Sequence, residues 1–186
     1  DAKSEKNLLT NDYSRHNREL ISTKHKIDNL RVEIESGSDM PNSVRKVLKN
    51  NELTGIYNTI GNVLSVDEKY VKALNTAIST SKNFIITKDE PSAKQAISYL
   101  KDSHAGRATF FPISVIKERY VDYDTINILK NSNDFVGIMS DLVKYNKEYE
   151  NIIKNQLGII VVATSIDAAT RLSHMIKARY KIVTLE

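Results

Sequence analysis

Histidines and carboxylates are the residues of this sequence that could carry acid–base or metal chemistry, and their spacing argues against both. His16, His25, His104 and His174 are scattered along the chain, so they form no ligand set of the usual short spacing. His104 falls near an expected helix end, where a charged imidazole suits the helix dipole. Asp89-Glu90 precedes Pro91 in a capping arrangement, and Asp122 and Asp124 lie in the loop-like cluster YVDYD. Each carboxylate pair thus has a capping or turn explanation. No nucleophile stands with a base at motif spacing, and no G-x-x-x-x-G-K-[S/T] phosphate loop occurs. Without cysteine there is neither a disulfide nor a thiolate metal site. No catalysis and no cofactor are expected.

Point charges offer a different chemistry. Arg171, Lys177, Arg179 and Lys181 cluster near the end, and Arg45, Lys46 and Lys49 form a second group. Such groups bind phosphate without reading base sequence. The overall excess is small, 27 basic against 23 acidic residues for a net charge of +4, so a solvated face is an equally good reading of any one of them. Tyr180 could stack on an unpaired base, although core packing accounts for it better.

The elements that must position these residues follow from hydrophobic spacing. Phe84 to Thr87 is a short apolar, β-branched run and reads as a strand; Ala93, Ala96, Ile97 and Leu100 then recur at helical spacing. Gly106 can end that helix, and Arg107 to Phe111 resume as a strand before Pro112. The same strand–helix–strand text returns 75 positions later. Ile159 to Val162 then match Phe84 to Thr87, Leu172 matches Ile97, Met175 matches Leu100, and Val183 to Leu185 match Ala108 to Phe110. Upstream the echo continues with a four-residue shift, pairing Val66–Tyr70 with Tyr145–Tyr149. Two unrelated units could share so common a motif, but duplication within one fold explains the length of the match better.

The first 36 residues differ in kind. Leu9, Tyr13, His16, Leu20, Thr23, Ile27, Leu30 and Ile34 alternate by four and three, the a/d seam of one coiled-coil strand. His16 and Thr23 weaken that seam, so the helix needs a partner; an amphipathic helix packed on the body is the alternative. Gly37 to Pro41 should break the helix, and Asn42 or Ser43 should cap a short one through Val44, Val47 and Leu48. From Leu53 a glycine-punctuated strand precedes a helix whose apolar face is Tyr70, Ala73, Leu74, Ala77 and Ile78. Residues 113–133 read as polar and irregular. With 40% hydrophobic residues the chain can build a core. No apolar run is long enough to span a bilayer, and DAKSEKN lacks a signal region, so a soluble protein without a membrane partner is expected.

From Leu53 to Glu186 the sequence resembles the hinge domain of SMC proteins, of bacterial type. The most specific piece is GRATF at Gly106–Phe110. In order around it stand Gly55 and Gly61, the V-x-x-K-Y pattern of Val66–Tyr70, Ser140-Asp141-Leu142-Val143, Leu157-Gly158 and Val183-Thr184-Leu185. The resemblance implies an α+β fold: two related subdomains with mixed sheets and flanking helices, preceded by a coiled-coil helix. The corresponding division is an arm at 1–36, a junction at 37–52, subdomain I at 53–115, a connecting segment at 116–134 and subdomain II at 135–186. It also implies a dimerisation module with no catalysis of its own, joining a second SMC subunit as a homodimer through sheet edges and glycine-rich surfaces. Gly55, Gly61, Ser79 and Thr80 are the interface candidates. Weak nonspecific DNA binding through the two basic groups, a returning coiled-coil helix outside this chain and a cytoplasmic, nucleoid-associated setting complete the expectation. Ser79-Thr80 and Asn58 stand where the family often has glycine, and the glycine-rich segment after V-T-L is absent. A stand-alone nonspecific DNA-binding domain with a coiled-coil arm is the alternative.

Overall fold

A computed structural model describes residues 2–35 and 39–186, with backbone only for Asn29 and residues 32–35. It has two units, Asp1–Asn42 and Ser43–Glu186. In the first, one helix, α1, runs from Ala2 to Glu35, a length of about 50 Å at 1.5 Å per residue. Its seam residues Leu9, Tyr13, Leu20, Ile27 and Leu30 are all more than two-fifths exposed, as the heptad reading requires of a helix awaiting a partner. The expected seam position Ile34 and the expected break at Gly37-Ser38 lie outside the described residues.

The second unit is a duplicated β-α-β body. Helix α2 (Asn42–Lys49) leads in, burying Ser43, Val44 and Val47. The first copy comprises β1 (Ile56–Thr59), β2 (Ser65–Val66), α3 (Val71–Ala77), β3 (Ile85–Thr87), α4 (Glu90–Asp102) and β4 (Phe110–Pro112). Helix α5 (Tyr123–Lys130) follows, and then the second copy: β5 (Phe135–Ile138), α6 (Met139–Leu142), β6 (Val143–Lys144), α7 (Glu150–Leu157), β7 (Ile160–Ala163), α8 (Ile166–Met175) and β8 (Lys181–Thr184). Each copy forms a mixed three-stranded sheet, in orders β1-β3-β4 and β5-β7-β8. The middle strands β3 and β7 are buried throughout, as strands covered on both faces must be. In both sheets the first strand carries one extra residue against the middle strand, a bulge placed alike in both copies.

The repeat is real, but its register is 76 rather than 75 positions in the middle strand and helix. Ile56 pairs with Thr87 as Phe135 pairs with Ala163, so Ile86 corresponds to Val162, and both enter one core. A one-residue slip reverses the face of every strand residue. The helices agree: Asp89 accepts from the Ser92 N–H as Ser165 accepts from that of Ala168. Leu172 therefore matches buried Ala96, and Ile176 matches buried Leu100. The pairings of Leu172 with Ile97 and Met175 with Leu100 join buried to exposed residues, since Ile97 is 53% and Met175 42% exposed. Along the last strands, Phe110 corresponds to Ile182 and Pro112 to Thr184.

Upstream the pairing of 66–70 with 145–149 holds, now a shift of three from the register of 76. Residues 68–70 and 147–149 are matching 3-10 turns, preceded by Asp67 and Asn146. The shift arises because seven residues, Ile78–Phe84, lie between Ala77 and Ile85, whereas four, Leu157–Ile160, lie between their counterparts Gln156 and Val161. Strands β2 and β6 pair antiparallel, with Ser65 opposite Lys144 and Val66 opposite Val143. Under the upstream offset Ser65 and Lys144 are each other's counterparts, so a local two-fold axis passes through this pair. One core then takes residues of both copies, among them Ile60, Leu74, Ile86, Ile152, Leu157 and Val162. A second core lies in the second copy, α5 and the residues just before it, where Val121, Leu129, Val161, Ala168 and Leu172 meet.

Two further expectations change. Residues 113–133 contain α5, because Asp122 accepts from the Thr125 N–H as an N-cap and Leu129 fills the core. Helix α4 ends at left-handed His104 (φ 52°) rather than at Gly106, with the Ala105 N–H donating back to the Leu100 carbonyl.

Candidate dimer and nucleic-acid surfaces

The four interface candidates divide between the two ends of β1. Gly55 has φ +68°, and a Cβ there would strike the Ser92 side chain; the Lys88 N–H donates to its carbonyl at 2.8 Å. Ser92 is itself fixed by Asp89 Oδ1, which accepts from its N–H at 2.9 Å and its hydroxyl at 2.6 Å. Those bonds hold the Asp89 carboxyl below its ordinary range. Gly61 follows the other end of β1, where its N–H donates to the Lys82 carbonyl at 2.9 Å. A Cβ at Gly61 would lie 3.1 Å from that oxygen. The turn that meets Gly61 contains the three-residue excess of the first copy, and it exposes Ser79 and Thr80. Gly61, Ser79 and Thr80 are thus brought together, while Gly55 serves the packing of α4.

Sequence reasoning does not single out which strands are edges. Strands β4 and β8 each pair on one side only. Ile113 N–H donates to Thr87 and Leu185 N–H to Ala163, so by alternation the amides of Phe110, Ile182 and Thr184 point away from their sheets. A groove runs beside each edge. The first, about 860 Å³, is lined by Pro91, Lys94, Ile97, Thr109 and Phe110; the second, about 380 Å³, by Ile166, Thr170, Tyr180 and Ile182. The sequence signal available was Pro112, a residue that sheets admit mainly at edges.

The GRATF turn leads into β4 and is held by α2. The Ser43 hydroxyl donates to the Arg107 carbonyl at 2.7 Å, and Gly106, at φ +95°, lies against Ser43. On the outward side of α2, Lys46 and Lys49 are exposed, and Arg45 is half-buried. No ion pair or side-chain hydrogen bond engages Lys46 or Lys49 among the described residues.

The other basic group is differently placed. Arg171 makes a bidentate pair with Asp134, at 2.7 and 2.8 Å, which draws the Asp134 carboxyl below its usual range. Arg179 lies 3.6 Å from Asp122, and the Lys181 ammonium donates to the Thr76 carbonyl at 3.3 Å. Lys177 stands exposed in a left-handed turn. Three of the four thus already have an acceptor within the fold. The described residues hold no cluster of three or more His, Cys, Asp or Glu that could bind a metal ion, and no helix among them is long and apolar enough to cross a membrane.

Comparison with known proteins converges on one family. The model of the SMC proteins Flexible Hinge Domain matches residues 53–173. The Chromosome partition protein Smc of Bacillus subtilis (strain 168) is 37% identical over 144 residues, 77% of this chain and 12% of that protein. Its namesake from Halothermothrix orenii is 34% identical over the same shares. The chain therefore spans 12% of the length of these relatives. Among solved structures, the asymmetric dimer of the Geobacillus stearothermophilus SMC hinge domain matches at TM-score 0.78 and 34% identity, over 88% of this chain and 66% of that one. The Pyrococcus furiosus SMC protein hinge domain matches at TM-score 0.65 and 26% identity, over 84% of this chain and 79% of that one.

Proposed function

The chain belongs to the SMC flexible hinge domain family, and from that premise we propose that it joins two SMC subunits as a homodimer at the end of their coiled coils. The observation that carries the reading is that β4 and β8, which share the edges of their sheets with β1 and β5, turn free amides outward beside a groove. An unpaired edge is a template for another strand. Adding β4 of one copy to β8 of a second, twice about a two-fold axis, closes a pair through these two edges. The related Geobacillus stearothermophilus hinge is a dimer. Helix α1 extends the seam that a returning helix would cover. The module contributes connection rather than catalysis, within a chromosome partition protein acting on the nucleoid.

Sedimentation equilibrium over a wide concentration range tests this, with Thr184→Pro as the variant. Thr184 turns its N–H outward, and the matching residue of the first copy is already Pro112. The variant should fold and dimerise at least tenfold more weakly, the effect of about 1.4 kcal/mol. A parent chain monomeric throughout, or a variant that pairs like its parent, overturns the reading. Substituting Gly61 by a bulky residue probes the second candidate surface, and loss of dimer from a folded chain is expected.

Nonspecific DNA contact is the second property we propose, and exposed Lys46 and Lys49 favour α2 as its place over the group at 171–181. Glutamate at both lysines should abolish salt-sensitive binding in an anisotropy titration. Charge reversal at Arg171 and Arg179 should leave most of it. The opposite ranking, with no dimer, would support a stand-alone DNA-binding domain.

A further inference from the structure

Tyr180, the residue before β8, is held by a segment outside both sheets. Its hydroxyl donates to Asp122 Oδ2 at 2.9 Å and accepts from the Asp122 N–H at 3.2 Å. Asp122 is held in turn by Thr125, whose N–H donates to Oδ1 at 2.9 Å and whose hydroxyl donates to Oδ2 at 2.7 Å. The tyrosine ring packs on the core of the second copy beside Ile182. The end of α5 nearest the edge is thereby tied to the start of the edge strand.

The turn that this tie closes is strained. Lys177 and Ala178 have φ of 54° and 52°, a left-handed conformation disfavoured for residues with a side chain. Three backbone bonds restrain it, from the Lys177 N–H to the His174 carbonyl, from the Ala178 N–H to the Ser173 carbonyl and from the Arg179 N–H to the Ile176 carbonyl. The matching turn of the first copy relies on His104 and Gly106, and Ala108 stands where the second copy has Tyr180. The first copy's turn is held instead by the Ser43 hydroxyl on the Arg107 carbonyl; at the second edge a side chain of the turn itself carries the tether.

We propose that Asp122 and Tyr180 form a latch that fixes where β8 begins, and so act as positioning residues for dimerisation without touching the partner. The inference rests on the edge-pairing reading above. With Tyr180 anchored, Lys181 enters opposite Ile160 and the amides of Ile182 and Thr184 face outward. Released, the turn relaxes toward right-handed backbone and rotates the strand entry, which misdirects those donors.

The test uses the whole chain. Tyr180→Phe removes one hydroxyl from a half-buried ring and should raise the dimer dissociation constant about tenfold. Asp122→Asn should weaken the dimer at least as much, since it also loses the Arg179 pair, and adding Tyr180→Phe to Asp122→Asn should change little because the tyrosine acts through Asp122. Introducing Ala178→Gly into the Tyr180→Phe chain should recover most of the affinity, since glycine takes the left-handed conformation freely and Ala178 is exposed. A tyrosine that only packs would not be rescued in this way. Folded Tyr180→Phe with parental affinity, or failure of the rescue, overturns the latch. Should Asp122→Asn not fold, Tyr180→Phe decides alone. Should the parent prove monomeric, edge pairing fails, and hydrogen exchange at the Val183 amide judges the latch: acceleration in Tyr180→Phe supports it, and unchanged exchange overturns it.

Discussion

At the scale of single residues, the polar side chains of this body act as fasteners. The Asp122 carboxyl shows this most strongly, held down to about 2 by its bonds from the Thr125 hydroxyl and N–H and from Tyr180, with Arg179 adding charge. Its folded value lies below the ordinary 3.8, so the unfolded chain binds the proton more readily. The stabilisation is complete above that ordinary value and is lost as pH falls through about 2. Thermal unfolding followed from pH 6 down to 2 should show a steep acid limb, and Asp122→Asn should flatten it while lowering stability at pH 6. Gly55 makes a different demand. Alanine there must adopt φ +68° against Ser92, so Gly55→Ala should destabilise by at least about 1–3 kcal/mol in urea unfolding. Dimerisation of the folded fraction should persist, because Gly55 serves α4 rather than the surface near Ser79 and Thr80.

Among the elements, helices were easier to anticipate than strand edges. The a/d seam of α1 and the capping pattern Asp89-Glu90-Pro91 are local, and both were legible. Helix α5 was not, because YVDYD offers the same residues to a turn as to a helix start, and only the burial of Leu129 decides between them. The register of the repeat failed for a related reason. Ile97 and Leu172 are both apolar at helical spacing, yet Ile97 faces the groove beside β4 and Leu172 the core. A prediction at this scale concerns α1. Its described seam residues are exposed and the body has its own cores, so deleting residues 1–41 should leave the melting temperature of the body within about 2 °C, less than a 1 kcal/mol change would produce.

For the body as a whole, the duplication is also a division of labour. Ser65 and Lys144 sit on the local two-fold axis, Lys144 bonds Asp67 at 2.9 Å, and Tyr57 of the first copy meets Tyr149 of the second edge to face. Because one core draws on both copies, residues 43–186 should unfold in urea as one transition with a slope suited to the whole body. A fragment ending at 115 should fail to fold by circular dichroism. Two separate transitions would show that each copy stands alone.

The sequence by itself determined the repeat and the heptad helix, which are written in local spacing, and the family resemblance, which is written in short motifs and implies the α+β class. Tertiary structure alone decided which strands are edges, β4 and β8 among them, that Gly61 but not Gly55 meets the turn carrying Ser79 and Thr80, and that Arg171, Arg179 and Lys181 are engaged within the fold. The physical reason is common to all three. Hydrophobic period reports whether a residue faces core or solvent, but sheet order and ion pairing depend on neighbours distant in sequence, such as Asp134 for Arg171 and Asp122 for Tyr180, and no local pattern encodes them.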